Sequence, residues 1–265
     1  MALTFGAATT DRVQIAAATS IDDRDPFTYA LWLYPTTLTA QRRIFQKGVN
    51  GTGGYQLMYV NSSSGDVLFQ VRRGGLNGPT QTNYITATGV LATNAWHFIA
   101  VSYSSAASPT THIYKGTLTA AAAEVSYVTN TDGSGTPVDA QGANEPLVIG
   151  NRGANITTAF QGRIAWFGMW NVALSAGEIA QLQFNPHVIS GDVVNMRLGF
   201  HETGTEPSQP DWSGNANAGS VTGATVGDHV PLGFPFGFQA GLPYVVAATS
   251  VKVPWPLLYA SGAMN

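Results

Sequence analysis

Phe160-Gln161-Gly162-Arg163-Ile164-Ala165-Trp166-Phe167-Gly168-Met169-Trp170-Asn171-Val172-Ala173-Leu174-Ser175-Ala176-Gly177-Glu178-Ile179 carries two hydrophobic periods and the punctuation between them. With a period of two, Ile164, Trp166, Gly168 and Trp170 share one face of a strand, and Ala165, Phe167 and Met169 the other. Both faces are apolar, which predicts a strand covered on both sides. Ser175 stands three residues before Glu178, the spacing of a capping box. Ile179, Leu182 and Phe184 add a short apolar stripe, and Asn185-Pro186 ends the helix. The reading is a β protein with one small helix at its edge.

The rest of the chain repeats the strand signal in short pieces. Phe27–Tyr34 ends at Pro35, Arg43–Lys47 at Gly48, Tyr55–Val60 at Asn61 and Val67–Val71 at Arg72. Trp96–Tyr103, Thr111–Tyr114, Leu147–Ile149, Val193–Phe200 and Val221–Thr225 follow. Each is rich in aromatic and β-branched residues and bounded by Gly, Asn, Ser or Pro. Residues 48–54, 61–66, 73–83, 104–110 and 129–144 read as Gly/Ser/Thr/Asn loops. Many short strands with one brief helix predict an all-β, two-sheet antiparallel sandwich.

Composition bounds the function. Only 10% of the 265 residues are charged, against an average near 25%. Such a surface, made of small polar and small apolar residues, suits a protein held in an assembly more than a free enzyme. Net charge is −3 with three lysines, so nothing draws the chain to nucleic acid or anionic lipid. The isolated Arg42-Arg43 and Arg72-Arg73 pairs read as solvated strand ends. The absence of cysteine excludes disulfides and cysteine-ligated zinc. Met1-Ala2-Leu3-Thr4-Phe5-Gly6 has no basic region and no apolar run, so no ordinary secretory signal is expected.

Composition shifts near residue 228, which sets the expected division: 1–227 as the body and 228–265 as an extended C-terminal arm. The arm holds five prolines and the aromatics Phe234, Phe236, Phe238, Tyr244, Trp255 and Tyr259. It is too apolar for a disordered tail and too rich in proline for a long helix. Those six aromatics are the expected interface residues, docked on their own domain or on a neighbouring subunit.

Four motifs, in order, resemble the laminin-G-like jelly-roll family of the concanavalin A-like lectin/glucanase superfamily. They are Phe27-Thr28-Tyr29-Ala30-Leu31-Trp32-Leu33-Tyr34-Pro35; Ile44-Phe45-Gln46-Lys47-Gly48 with Tyr55-Gln56-Leu57; Trp96-His97-Phe98-Ile99-Ala100-Val101; and Leu147-Val148-Ile149-Gly150 leading into the opening segment. Asp211-Trp212-Ser213-Gly214-Asn215 is similar to a loop that often follows such domains. The resemblance spans residues 3–225 and implies a jelly-roll sandwich. In pentraxin relatives, acids after the "I-G" strand hold calcium, whereas here Asn151-Arg152-Gly153-Ala154-Asn155 offers no carboxylate and one cation.

Chemistry is sparse. A retaining glucanase of this superfamily needs two carboxylates about 5–5.5 Å apart, set on a strand as E-x-D-x-E. Glu124, Glu145, Glu178, Glu202 and Glu206 are scattered. The histidines 97, 112, 187, 201 and 229 lack metal-ligand spacing, and His97 and His112 read as packed or half-exposed strand residues. Asp22-Asp23-Arg24-Asp25 offers oxygen ligands for a hard cation; the reading adopted is a solvated turn with Arg24 balancing charge. Asn50-Gly51-Thr52, Asn61-Ser62-Ser63 and Asn155-Ile156-Thr157 fit the glycosylation pattern, and without a secretory signal they read as loop residues.

The expectation is a non-catalytic structural protein of a large assembly, a phage virion surface protein used in capsid decoration or a fibre. Its partners would be other protein subunits, including copies of itself, and no cofactor or metal is expected. The alternative is a lectin-like carbohydrate-binding module recognising surface glycans. Trp32, Tyr55, Tyr84 and Trp96 are then candidate contacts, with packing in the core as their competing role.

Overall fold

The computed structural model describes residues 2–6, 10–22, 24–39, 41–48, 54–72, 81–134, 145–152, 158–185, 189–199 and 208–231. The six arm aromatics, Asp23, Asn50, Asn155, His187 and His201 lie outside these residues.

Two antiparallel sheets make the body. In the eight-stranded sheet the order is β10 (Ala123–Glu124), β9 (Thr111–Gly116), β8 (His97–Tyr103), β3 (Phe27–Pro35), β13 (Gly162–Trp170), β1 (Ala2–Phe5) and β17 (Thr225–Gly227). The eighth strand, β14 (Asp192–Met196), pairs with the second half of β13 while β1 pairs with the first. The nine-stranded sheet runs β11 (Tyr127–Thr131), β7 (Gln81–Thr86), β6 (Val67–Arg72), β5 (Tyr55–Val60), β4 (Arg42–Gly48), β12 (Leu147–Ile149), β2 (Arg12–Ile15), β16 (Gly219–Thr222) and β15 (Ser208–Gln209). Sequence-distant strands are neighbours in both, as the jelly-roll expectation requires. Gln81–Thr86 and Tyr127–Thr131, whose ends overlap stretches read as loops, are strands because Tyr84 and Tyr127 pack edge to face at 5.2 Å.

The core lies between the sheets. Tyr29, Leu31 and Leu33 of β3 and Phe167 and Met169 of β13 meet Phe45, Met58 and Phe69 from the facing sheet. Phe27 stacks on Tyr103 at 4.8 Å, and Tyr29 lies 4.4 Å from Phe45. A second cluster covers the other face of β13: Trp32, Phe98, Trp166 and Trp170 pack under Leu174 and the helix residues Ile179 and Leu182. Each buried side chain of this size contributes roughly 1.5–3 kcal/mol. The indoles find acceptors, Trp32 Nε1 at the Gln183 carbonyl (2.9 Å) and Trp166 Nε1 at Asn195 Oδ1 (3.0 Å).

The strand is thus covered on both faces, but its alternation differs from the simple period of two. The register passes from Ile164 opposite Leu33 to Trp166 opposite Trp32, leaving Ala165 as a bulge. One extra residue inverts the sidedness, so Ile164 joins Phe167 and Met169 in the central core while Ala165 lies with Trp166 and Trp170. A Cβ on Gly168 would come within 2.5 Å of Trp170 and 2.8 Å of Trp166, so only glycine lets the two indoles lie beside it.

Helix α1 (Ala176–Leu182) begins as expected: Ser175 and Glu178 form a reciprocal capping box. It ends two residues earlier than the apolar stripe suggested, with Gln183 as its cap. Gln183 Nε2 donates to the carbonyls of Thr117 (2.6 Å) and Ala120 (2.8 Å), tying it to a neighbouring turn. Phe184 consequently stands 37% exposed and does not join the stripe.

All the described residues belong to one compact unit, within Met1–Phe234. Val230, two residues past the composition shift, is buried in the tryptophan cluster. No helix among the described residues is long and apolar enough to cross a membrane.

Candidate functional site

The residues of the nine-stranded sheet that point away from the core form a ladder. Val13, Phe45, Met58, Phe69 and Tyr84 face inward, so their alternates face out. Reading across paired positions, Ser220 lies opposite Gln14, Gln14 opposite Val148, Val148 opposite Gln46 and Gln46 opposite Leu57. Leu57 then lies opposite Gln70, Gln70 opposite Asn83 and Asn83 opposite Thr131. Four strands of one row therefore present a side-chain amide, and Gln70 Nε2 donates to Asn83 Oδ1 at 3.2 Å.

Tyrosines of β5 flank the row. Tyr59 and Tyr55 sit on either side of Leu57, packed with Leu68 and Ile85. Tyr55 is buried and its hydroxyl accepts from Gln81 Nε2 at 2.6 Å. Tyr59, Gln70, Arg72, Asn83 and Ile85 are half-buried and make the accessible strip, whereas Gln46, Leu57 and Val148 are buried. Burial raises the pKa of both Tyr55 and Tyr59, with nearby arginines opposing the shift. Both stay neutral and able to donate at ordinary pH.

Arg43 stands at the Tyr59 end, 4.3 Å over the ring and only 5% exposed. This corrects the solvated reading of Arg42-Arg43: a bulge between Arg43 and Phe45 turns Arg43 onto the outer face beside Tyr59. Burial first, then the like charge of Arg152, holds the guanidinium below its usual range, and Tyr59 acts in the opposite sense. Among the described residues, its electrostatic neighbours are Tyr59, Arg152 and Tyr55, none of them a carboxylate. Arg152 follows Asn151 directly after the β12 strand, in the stretch where the pentraxin acids were missing.

Of the four aromatics considered from sequence, only Tyr55 lies on this face. Trp32 belongs to the cluster under the helix, Tyr84 to the core with its hydroxyl on Asp132 (2.6 Å), and Trp96 packs against Tyr34 at 5.4 Å. Tyr59, Arg43, Arg152, Gln46 and Gln70 were missed. Their signal was the polar alternates in β4–β7, which period two sorts into faces without saying which face is outward.

The acidic cluster does not converge. Asp22 is buried and pairs with Lys47, correcting the solvated-turn reading. Asp25 accepts from the backbone and hydroxyl of Ser105, and Arg24 donates to the carbonyls of Ser20 and Thr19. Glu178 is held in the cap, with its carboxyl pKa lowered by hydrogen bonds from the Ser175 backbone and hydroxyl. His97 is buried, and His112 pairs with Glu124 at 2.9 Å. No three metal-ligating groups come together among the described residues.

Residues 7–180 match the Laminin_G_3 family model, of the concanavalin A-like lectin/glucanases superfamily. No curated protein matches the chain in sequence. Among solved structures, a candidate carbohydrate-binding protein from Bacteroides ovatus aligns at 18% identity and a TM-score of 0.53, over 85% of this chain and 59% of that one. The chain thus spans under two thirds of that protein's length. The heptameric pentraxin of Limulus polyphemus aligns at 12% identity and TM-score 0.48, over 68% of this chain and 80% of that one. Tailspike protein 2 of Escherichia coli O157:H7 bacteriophage CAB120 aligns at 14% and 0.46, over 74% and 30%. These likenesses concern the fold alone.

Proposed function

The chain belongs to the concanavalin A-like lectin/glucanase superfamily, and from that premise we propose that it is a non-catalytic carbohydrate-binding module whose outer nine-stranded face takes the glycan. The observation that supports this is the accessible strip of Gln70, Asn83 and Tyr59, with Gln14 further along the same row. Sugar hydroxyls both donate and accept, and a carboxamide offers two donors and an acceptor. Neighbouring strands lie roughly 4.8 Å apart, so Gln70 and Asn83 set out such groups one strand spacing apart. The half-buried Tyr59 adds flat apolar surface with a polar tip.

Hydrolysis would need an acid and a nucleophile flanking the sugar bond, and the outer row contains no carboxylate. Binding without turnover is the chemistry available to this face. Glycan-array binding followed by titration calorimetry tests it: Tyr59→Ala and Gln70→Ala should each weaken a bound glycan about tenfold or more. Unchanged affinity in both, with binding retained, would move the site elsewhere and sink the proposal.

A second reading, a structural subunit on a virion surface, rests on the 10% charge and the proline- and aromatic-rich residues 228–265. Because Val230 is buried in the body, truncation after Phe234 is the clean variant. Normal assembly by that truncated chain would count against the arm's role.

A further inference from the structure

Among the described residues, three side chains around the Tyr59 end carry buried polar atoms with no hydrogen-bond partner. Arg43 Nε and Nη1 have no hydrogen-bond partner, nor does Arg152 Nε, nor Thr158 Oγ1. Gln46 Oε1, on the same outer face of β4, is also unpartnered, although its Nε2 donates to the Gly48 carbonyl at 2.8 Å. Thr158 is fixed beside Arg43, whose backbone N–H donates to the Thr158 carbonyl at 2.8 Å. The adjacent Arg42 is different: its Nε donates to Thr39 Oγ1 at 2.7 Å.

Two neighbouring guanidiniums with no carboxylate between them among the described residues repel, and burial removes the water that would solvate their free N–H groups. An uncompensated buried charge opposes folding. An anion at this point would satisfy the free nitrogens, cancel the repulsion and strengthen each bond by charge assistance. Arg152, Thr158 and Tyr59 are only half-buried, so the cluster reaches the surface through them.

Building on the carbohydrate-binding reading, we infer that Arg43 and Arg152 form a subsite for an anionic substituent of the glycan, a carboxylate or a sulfate. The ligand lies along the amide row with its acidic group at the Tyr59 end. Thr158 Oγ1 donates to the same group, and Gln46 Oε1 accepts from a neighbouring hydroxyl.

The test is calorimetry with three probes on the full chain: oligogalacturonate, sulfated dextran oligosaccharide and neutral dextran oligosaccharide. At least one acidic probe should bind about tenfold or more tighter than the neutral one, and its advantage should shrink as salt is raised. The two acidic arms separate carboxylate from sulfate. Arg152→Gln, at a half-buried position, should remove most of the preference, and Arg43→Met should abolish it. Neutral dextran bound as well as both acidic probes would overturn the anionic subsite and leave the glycan site standing. Acidic preference that survives Arg152→Gln and Arg43→Met unchanged would also overturn it. No binding of any probe, together with an empty glycan array, would overturn the subsite and the carbohydrate reading alike.

Discussion

Lys47 is fully buried, with its Nζ 2.6 Å from Asp22 Oδ1 and 2.7 Å from the Glu145 carbonyl. Replacing Asp22 by Asn keeps the shape and takes one carboxylate charge away from the buried ammonium. Breaking one partner of a buried pair costs about 3–5 kcal/mol. At roughly 2–4 °C per kcal/mol for a domain of this size, the melting temperature should fall by roughly 6–20 °C. Lys47→Met should cost less, because the Asp22 side chain, 7% exposed in a turn, can swing out to water while the ammonium cannot. The pair Asp22→Asn with Lys47→Met should recover most of the loss, to within about 1–2 kcal/mol of wild type. Urea denaturation followed by tryptophan fluorescence, with calorimetric melting as a second probe, measures all three. The reasoning is refuted if Asp22→Asn costs under about 1 kcal/mol, or if the double variant shows the simple sum of the two single losses.

Gly168→Ala places a methyl 2.5 Å from Trp170 and 2.8 Å from Trp166; overpacking should cost about 1–3 kcal/mol, read by urea denaturation together with a changed near-ultraviolet tryptophan signal. Burial pushes the His229 imidazole down from 6.5 to about 4. The fold therefore favours neutral histidine: this contribution to stability is intact above about 6.5 and drains away as pH falls toward about 4, where it levels off, at up to roughly 1.4 kcal/mol per pH unit. His229→Gln should flatten that part of the stability–pH curve. Arg43→Met, without glycan, should leave thermal stability unchanged or raised, because the guanidinium it removes has two buried unpartnered nitrogens; a fall of more than about 2 kcal/mol would make Arg43 a structural group.

The fold was legible because its signals are local. Ser175 and Glu178 announce a cap by spacing alone, the apolar runs at β3 and β8 announce strands, and the run at β13 announces one covered on both faces. What stayed hidden depends on partners distant in sequence. Ala165 looks like any small strand residue, and only the register against Leu33 and Trp32 makes it a bulge. Asp22 joins a buried pair because β4 passes beside it, which no window around residue 22 reveals. The amide row is a property of eight strands aligned, with at most one residue read from each. The six arm aromatics from Phe234 to Tyr259 lie outside the described residues, so their interface role stands as a proposal.

The sheet margins carry a consequence for how copies of this chain can meet. β10 and β15 are two residues long and β17 three, while β11 is interrupted by a bulge where Val128 stands 67% exposed. At β14, the outer edge is occupied by the 211–213 loop, with Trp212 N–H donating to the Asn195 carbonyl (2.8 Å) and Asp211 accepting from Asn195 N–H (2.9 Å). Short, bulged or capped margins give another chain no long template for strand addition. Among the described residues, the route by which sandwiches polymerise into continuous ribbons is therefore blocked, and a crowded array of these domains would remain a set of discrete bodies that touch through faces and loops.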